Sequence, residues 1–341
     1  MPPLRLGIVG CGFGAYGIAA ACRLSDRFVP TRIAARTLAR AQAACAKYGI
    51  ANATDDANAL IDDPGIDVVA LAVPPQAQAE LALRALALKK PIFAEKPLAA
   101  TLAQARALAQ ACGATPNMID FQISELPSFL AARRLVASGA LGAIRHVGVD
   151  WRTESHSVRN RIDDWKTDPA QGGGALAHMA SHSLHYLECF AGPIRSLQAL
   201  FASALPFPGR ETAALLAMRF AGGAVGALDV SVASPGVAQH RVSIEGDRGA
   251  LRLEGLLPNP VRFSLERTNG EGGWIPVLED PPPIAPDMDA RAGAVHALLV
   301  RLADWIATGR AEKPDFADGL RVQTLVAAAR ESNDSATRII V

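Results

Sequence analysis

The sequence predicts an α/β protein in two parts. A parallel, helix-covered sheet runs to about residue 120, and an α+β part with an open, mostly antiparallel sheet follows. Three observations carry this expectation. Up to residue 120, short apolar strands alternate with helices of about 10–15 residues, the mark of βαβ units. The first such unit is interrupted by a glycine-rich turn, Gly10-Cys11-Gly12-Phe13-Gly14. Beyond residue 120, strand-like stretches follow one another without intervening helices, as in antiparallel sheets. The expected domains are therefore 1–120 and 121–341, with the closing helix able to pack back on the first.

The elements follow in order. Residues 4–9, Leu-Arg-Leu-Gly-Ile-Val, read as a buried strand, and an Ala-rich helix after the glycine turn reaches about Leu24. A strand over 29–35 and a helix over 37–48 come next. The unbroken apolar run 67–73 is of strand length and suits a strand covered on both faces. Helix 76–89, strand 91–94, helix 101–112 and a short strand at 116–119 complete the first part. A helix over 127–138 stops at Ser138-Gly139. Residues 144–152 alternate, as do 212–233 around a hairpin turn at Gly222-Gly223. Two or three short strands fall within 241–265. The proline-rich stretch 278–287 reads as an extended surface connection. Helices near 288–308 and 316–332 close the chain.

Composition narrows the function. The chain has 341 residues, half of them hydrophobic, enough for sizeable cores. Lys plus Arg is 34 and Asp plus Glu is 33, so the net charge of +1 gives no reason to bind nucleic acid or an anionic membrane. Aromatics are only 5%, a poor supply of base-stacking platforms. No secretory signal is recognisable, and no apolar run reaches the length of about 18 residues that marks a membrane span. The five cysteines (Cys11, Cys22, Cys45, Cys112 and Cys189) include no CxxC, which fits reduced thiols in a cytoplasmic protein.

The glycine turn has two possible registers. A GxGxxG pattern selects Gly12, Gly14 and Gly17. The physical roles select Gly10, Gly12 and Ala15: a tight turn after Val9, close backbone approach to a pyrophosphate, and a small residue where helix meets strand. Either way Gly10, Gly12, Phe13, Gly14 and Ala15 open a helix whose N-terminus suits phosphates. This is the expectation of a Rossmann dinucleotide-binding domain; the alternative is a glycine-rich turn with no ligand. NAD-selective folds place an acid ~20 residues on, at the end of the second strand. Here no acid occurs between Asp26 and Asp55, and Arg36 and Thr37 occupy the place. A cation at a helix N-terminus opposes the helix dipole unless a 2′-phosphate compensates it. NADP(H) is therefore expected over NAD(H), against the reading of Arg36 as a solvated surface arginine.

Residues 91–97, Pro-Ile-Phe-Ala-Glu-Lys-Pro, put Glu95 and Lys96 just past the carboxyl end of a parallel strand, where open α/β sheets bind ligands. A lysine there can give a proton to a carbonyl oxygen as hydride arrives. With the glycine loop, Val73-Pro74-Pro75, Gly172-Gly173-Gly174-Ala175-Leu176 leading into His182, and the closing Gly319-Leu-Arg-Val-Gln-Thr-Leu-Val, the chain resembles the glucose–fructose oxidoreductase and inositol dehydrogenase (Gfo/Idh/MocA) family along its whole length. The resemblance implies alcohol–ketone interconversion on sugars, cyclitols or related polyols. It implies an open second-domain sheet that forms a homodimer or homotetramer. It assigns catalysis to Lys96 and to His182, which contacts the reacting hydroxyl. It places Trp165-Lys166 near the nicotinamide, Val73 and Pro74 beside the cofactor, and Gln78 where a histidine usually stands. The family's acids four residues before and three after the histidine are His178 and His185 here.

His178, His182 and His185 would share one face of an α-helix. Imidazoles at i and i+4 can share a zinc ion, but no HExxH is present and this chemistry needs no metal. The alternative is that His178 and His185 are held near a pocket while only His182 reacts, with His178 able to take the missing acid's place. Glu154, Arg159, Arg161, Asp163 and Asp164 precede the Gly172 turn and read as solvated loop charges or substrate contacts. The expected function is an NADP(H)-dependent oxidoreductase of a sugar, cyclitol or polyol. The rival is a non-catalytic NADP(H)-binding sensor or partner protein on the same fold.

Overall fold

The computed structural model describes residues 2–204, 207, 209–256, 262–279, 285 and 287–341. Most of the proline-rich stretch 278–287 lies outside these residues. The chain forms two units, Met1–Gln122 with Pro282–Arg321, and Ile123–Pro281 with Val322–Val341. The first unit thus takes in 282–321 as well as the residues up to about 120. The reason lies in the helix Ala292–Thr308, whose Val295, Leu298, Leu299 and Leu302 share one core with Leu6, Ile8, Ile18 and Phe28.

The first unit holds a six-stranded parallel sheet of β1 (Leu4–Val9), β2 (Phe28–Ala34), β3 (Asn52–Thr54), β4 (Val68–Leu71), β5 (Ile92–Ala94) and β6 (Asn117–Ile119). Their order is β3-β2-β1-β4-β5-β6. The order reverses between β1 and β4, and a crevice at the carboxyl ends of the strands follows from that reversal. All of β4 is fully buried, which explains its unbroken apolar run. The strand β3 and the helix Ala57–Asp62 were not legible in sequence, because Asn-Ala-Thr at the sheet edge carries no apolar run. The first helix also differs from expectation. Gly14–Ala19 form a wider π-helical stretch, followed by a short α-helical turn at Ala20–Cys22.

The second unit holds a nine-stranded sheet of β7 (Ile144–Arg152), β8 (Ile194–Ala202), β9 (Ala213–Phe220), β10 (Val225–Ser231), β11 (Gln239–Gly246), β12 (Ala250–Gly255), β13 (Phe263–Thr268), β14 (Ile275–Pro276) and β15 (Ile339–Ile340). Their order is β14-β13-β12-β11-β7-β10-β9-β8-β15. All neighbours are antiparallel except β7 and β10. The α/β class and the mostly antiparallel second sheet are thus as the sequence predicts. One face buries Val147, Val149, Leu216, Met218, Leu228, Val230, Val242, Ile244, Leu251 and Leu253. The helices Pro127–Ala137 and Ser181–Ala191 pack there.

The apolar residues of 212–233 lie mainly inward, while Leu215 and Val225 are exposed on the other face. Much of the rest is laced by ion pairs: Arg152 with Asp150 at 2.9 Å and with Asp229, Arg241 with Glu254 at 2.8 Å, and Arg252 with Glu266 at 2.5 Å. Exposed pairs of this kind contribute about 0–1 kcal/mol each. Among the described residues no helix is long and apolar enough to cross a membrane.

A polar chain runs through the second core. The Tyr186 hydroxyl lies 2.8 Å from Ser183 Oγ and 2.9 Å from His240 Nε2, while Trp151 stacks on the His240 ring at 4.0 Å. Burial pushes the His240 imidazole down to about 3, so it stays neutral in the native protein. The unfolded chain takes up that proton below about pH 6.5. The stabilisation is complete above that pH and is lost as pH falls towards 3, by about 1.4 kcal/mol per pH unit from this group. Urea unfolding between pH 7 and pH 4 is expected to show that slope in the wild type. His240→Asn, which cannot titrate, should lack this increment, and an unchanged slope would refute the assignment.

Candidate functional site

Gly10 makes the turn after β1. Its φ is +112°, and a Cβ there would fall 2.2 Å from the Ala72 carbonyl oxygen. At Gly12 the same test meets nothing within 4 Å, leaving open space over the helix start. Ala15 is fully buried in the sheet–helix core. Turn, open approach and close packing therefore fall on Gly10, Gly12 and Ala15. A Cβ at Gly14 would lie 2.7 Å from Ile8, and one at Gly17 would lie 2.3 Å from the Phe13 ring. The open Gly12 and the adjoining helix N-terminus fit a dinucleotide phosphate.

The neighbouring strands bring three more segments to this edge. Val73 and Pro74 follow β4, and Pro75 begins the helix Pro75–Ala87. Gln78 on that helix is 1% exposed, and its side-chain amide donates to the carbonyls of Glu95 at 2.6 Å, Pro97 at 3.1 Å and Leu98 at 3.2 Å. Its amide nitrogen is thus committed to holding the Glu95-Lys96-Pro97 loop, a positioning role that the sequence reading did not give it. Glu95 and Lys96 are half-buried. Beside them stand two groups the sequence reading missed. Asp120, directly after β6, is fully buried and hydrogen-bonded to Glu95. Arg291 lies over the rings of Phe13 at 4.5 Å and Tyr16 at 5.6 Å, clamped by both carboxylate oxygens of Asp289. Neither carries a local motif: Asp120 follows a three-residue strand, and Arg291 returns from the far end of the chain.

Arg36 and Thr37 follow β2, whose last residue Ala34 pairs with Val9. Both are exposed, and the Thr37 hydroxyl does not cap the helix Leu38–Tyr48. No acidic side chain pairs with Arg36 among the described residues.

In the second unit, Asp164 caps the 3₁₀ turn Trp165–Thr167, and Asp168 caps the next, Pro169–Gln171. Glu154 pairs with Arg159 at 2.8 Å and Asp163 with Arg210 at 2.6 Å, so most of the loop charges left unassigned in sequence have structural partners. A Cβ at Gly173 would lie 1.9 Å from the Trp165 carbonyl oxygen. At Gly174 φ is +83°, and a Cβ would meet Glu211 at 2.3 Å. Glu211 holds this turn twice: its carbonyl accepts from Ala175 N at 2.8 Å, and its carboxylate takes Arg330 at 2.9 and 3.1 Å. Arg330 also donates to the Gly173 carbonyl at 3.2 Å.

The histidines follow this turn. Ala175–Ala180 is π-helical and Ser181–Ala191 α-helical, so the single α-helical face expected for His178, His182 and His185 is broken by the wider turn. His178 meets the Trp165 ring edge-on at 5.3 Å, His182 is buried, and His185 Nδ1 lies 2.7 Å from Ser124 Oγ. Lys166 is exposed. Among the described residues, no group of three His, Cys, Asp or Glu side chains is placed to hold a metal ion.

Residues 4–121 match the NAD-binding Rossmann-fold domain of the GFO/IDH/MocA oxidoreductases, and residues 129–252 match the family's C-terminal domain. The chain belongs to the GFO/IDH/MocA family. It is 25% identical to levoglucosan dehydrogenase of Pseudarthrobacter phenanthrenivorans, covering 97% of this chain and 96% of that protein. It is 26% identical to inositol 2-dehydrogenase of Acidothermus cellulolyticus, covering 98% and 94%. A solved structure of levoglucosan dehydrogenase in complex with NADH and L-sorbose has the same fold, with TM-score 0.90, 23% identity and coverage of 100% and 99%. This GFO/IDH/MocA protein is thus an oxidoreductase with an NAD-binding Rossmann domain, and sugar and polyol dehydrogenases stand among its relatives.

In this family member the Glu211–Arg330 pair is a clear point of vulnerability. The Glu211 side chain is 5% exposed, so Arg330→Met would leave a buried carboxylate without its cation. Urea unfolding should show a loss of about 3–5 kcal/mol, with part recovered in the Glu211→Gln, Arg330→Met double variant. A loss below about 1 kcal/mol, the range of exposed pairs, would show that the clamp is dispensable.

Proposed function

We propose that this protein is an NADP(H)-dependent oxidoreductase that interconverts an alcohol and a ketone on a sugar, cyclitol or related polyol. The observation that carries the cofactor choice is the end of β2. Exposed Arg36 and an uncommitted Thr37 hydroxyl stand where an acid would hold the ribose 2′-hydroxyl. A guanidinium there suits a 2′-phosphate, through charge-assisted hydrogen bonds. The substrate class is supported by the relatives named as levoglucosan, D-apiose and inositol dehydrogenases.

When bound, the nicotinamide supplies or accepts hydride. The chain's own residues do the rest. The open backbone at Gly12 and the helix start accommodate the phosphates. Lys96, held in place through the Gln78 amide, and His182 exchange the hydroxyl proton of the substrate. His178, braced edge-on by Trp165, is secondary.

Cofactor choice is tested by fluorescence titration. NADPH should bind more tightly than NADH, and Arg36→Ala should cost NADPH about 1.5–3 kcal/mol while NADH is little affected. Equal affinities in the wild type would remove the argument. The proton-transfer roles are tested by turnover on a panel of sugars and cyclitols. Lys96→Met and His182→Ala should each lose about 10²–10⁴-fold in kcat with cofactor binding retained. His178→Ala should lose less. Near-normal turnover in Lys96→Met would refute the mechanism.

A further inference from the structure

Asp120 belongs to no part of the motif that singles out Lys96, yet it is the fully buried acid beside the Lys96 loop. It leaves β6 as Glu95 leaves β5, and its N–H donates to the Ala94 carbonyl at 2.8 Å. The two carboxyl groups hydrogen-bond to each other. With its nitrogen turned inward, the Gln122 amide donates to Asp120 Oδ1 at 2.8 Å and Oδ2 at 3.0 Å. The backbone N–H of Lys96 donates to the Glu95 carboxyl. Ionised carboxylates carry no donor, so a direct hydrogen bond between two carboxyls requires a proton on one of them.

We propose that Glu95 and Asp120 share one proton across this hydrogen bond, and that the resulting monoanionic pair positions Lys96 for proton transfer. Asp120 acts through Glu95 and is a positioning residue. The charged groups that face the pair are Lys96 on the same loop and Arg291 from the segment before the helix Ala292–Thr308. Their charges oppose protonation of both acids, while mutual repulsion in a buried site opposes ionisation of both. Burial raises both carboxyls, and Asp120 rises further because the Glu95 charge faces it. One retained proton satisfies both constraints, and the pair titrates as a unit.

The positioning role rests on the reading of Lys96 as a proton-transfer group, whereas the shared proton does not. The test therefore has two arms. Infrared difference spectra at pH 7 should show a protonated-carboxyl carbonyl band in the wild type that shifts in D₂O. That band should be missing from both Asp120→Asn and Glu95→Gln, each of which keeps a hydrogen-bond donor without a proton to share. Two variants guard against a folding failure in one. No loss of band in either folded variant overturns the shared proton. In the second arm, Asp120→Ala should lower kcat about 10²-fold, the scale of a misplaced catalytic group, with the cofactor dissociation constant unchanged. Asp120→Asn should restore most of that rate. Equal losses in the two variants, or a change confined to KM, overturn the positioning role. If the wild type turns over no polyol, the proposed function fails while the infrared result still decides the shared proton.

Discussion

The exit of the chain from β1 is the constraint on which the first unit depends. Gly10 N–H donates to the Ala34 carbonyl at 2.8 Å, and Ala72 N–H donates to the Val9 carbonyl at 2.8 Å. These two bonds draw the ends of β2 and β4 against the turn, so closely that no Cβ can stand at position 10. Because the strand order reverses here, the chain leaves β1 and β4 towards opposite sides of the sheet. The opening at Gly12, the Arg36 corner and Val73 consequently share one edge. The same device continues sideways: Glu95 N–H donates to Leu71 and Asp120 N–H to Ala94. The row that begins with a glycine ends with a buried acid, and Lys96 lies within it.

The second unit solves a similar problem by different means. The segment before the histidine helix must turn sharply in a buried place, and Gly173 and Gly174 allow it by lacking side chains. A turn made of glycines is cheap to distort, because glycine has the most conformational freedom to regain. Glu211 and Arg330 remove that freedom, one gripping the turn by its backbone and the other by the Gly173 carbonyl. Rigidity at His178 and His182 is thus borrowed from β9's approach and from the closing helix Phe316–Ser335.

What the sequence showed and what it hid divide along physical lines. Buried parallel strands are legible because both faces are apolar, and the glycine loop is legible because a tight turn and close approach demand specific residues at fixed spacing. The β8 strand and the Asn-Ala-Thr edge strand β3 were not legible. In the first, Arg195, Ser196 and Gln198 interrupt the apolar residues without strict alternation, and the second carries no pattern. The π-helical starts at Gly14 and Ala175 were hidden as well, since a wider turn leaves no spacing rule in so short a stretch. Lys96 and His182 are singled out through motif resemblance. Asp120 and Arg291 were not, because their meaning lies in who faces them. Gln78 illustrates the intermediate case. Its place in the sequence pointed to the site, but only the structure shows that it serves the site by holding the 95–98 backbone.

The charges gathered around Lys96 also explain why Asp120 can be an acid at all. Burying an unpaired charge costs several kcal/mol, so such a cluster persists only if its charges balance and its hydrogen bonds are made. Arg291 is balanced by Asp289, which grips it with both oxygens. The Lys96 ammonium faces the Glu95–Asp120 pair. With both acids ionised, two negative charges would repel each other, one of them on a fully buried residue. With both protonated, the pair would offer the Lys96 ammonium no opposite charge. A single shared proton leaves one negative charge on the pair, and the Gln122 amide and the Lys96 N–H supply further donors to the carboxyl oxygens. The acid is therefore compatible with its burial as half of a pair, and one retained proton leaves that pair a single negative charge to set against Lys96.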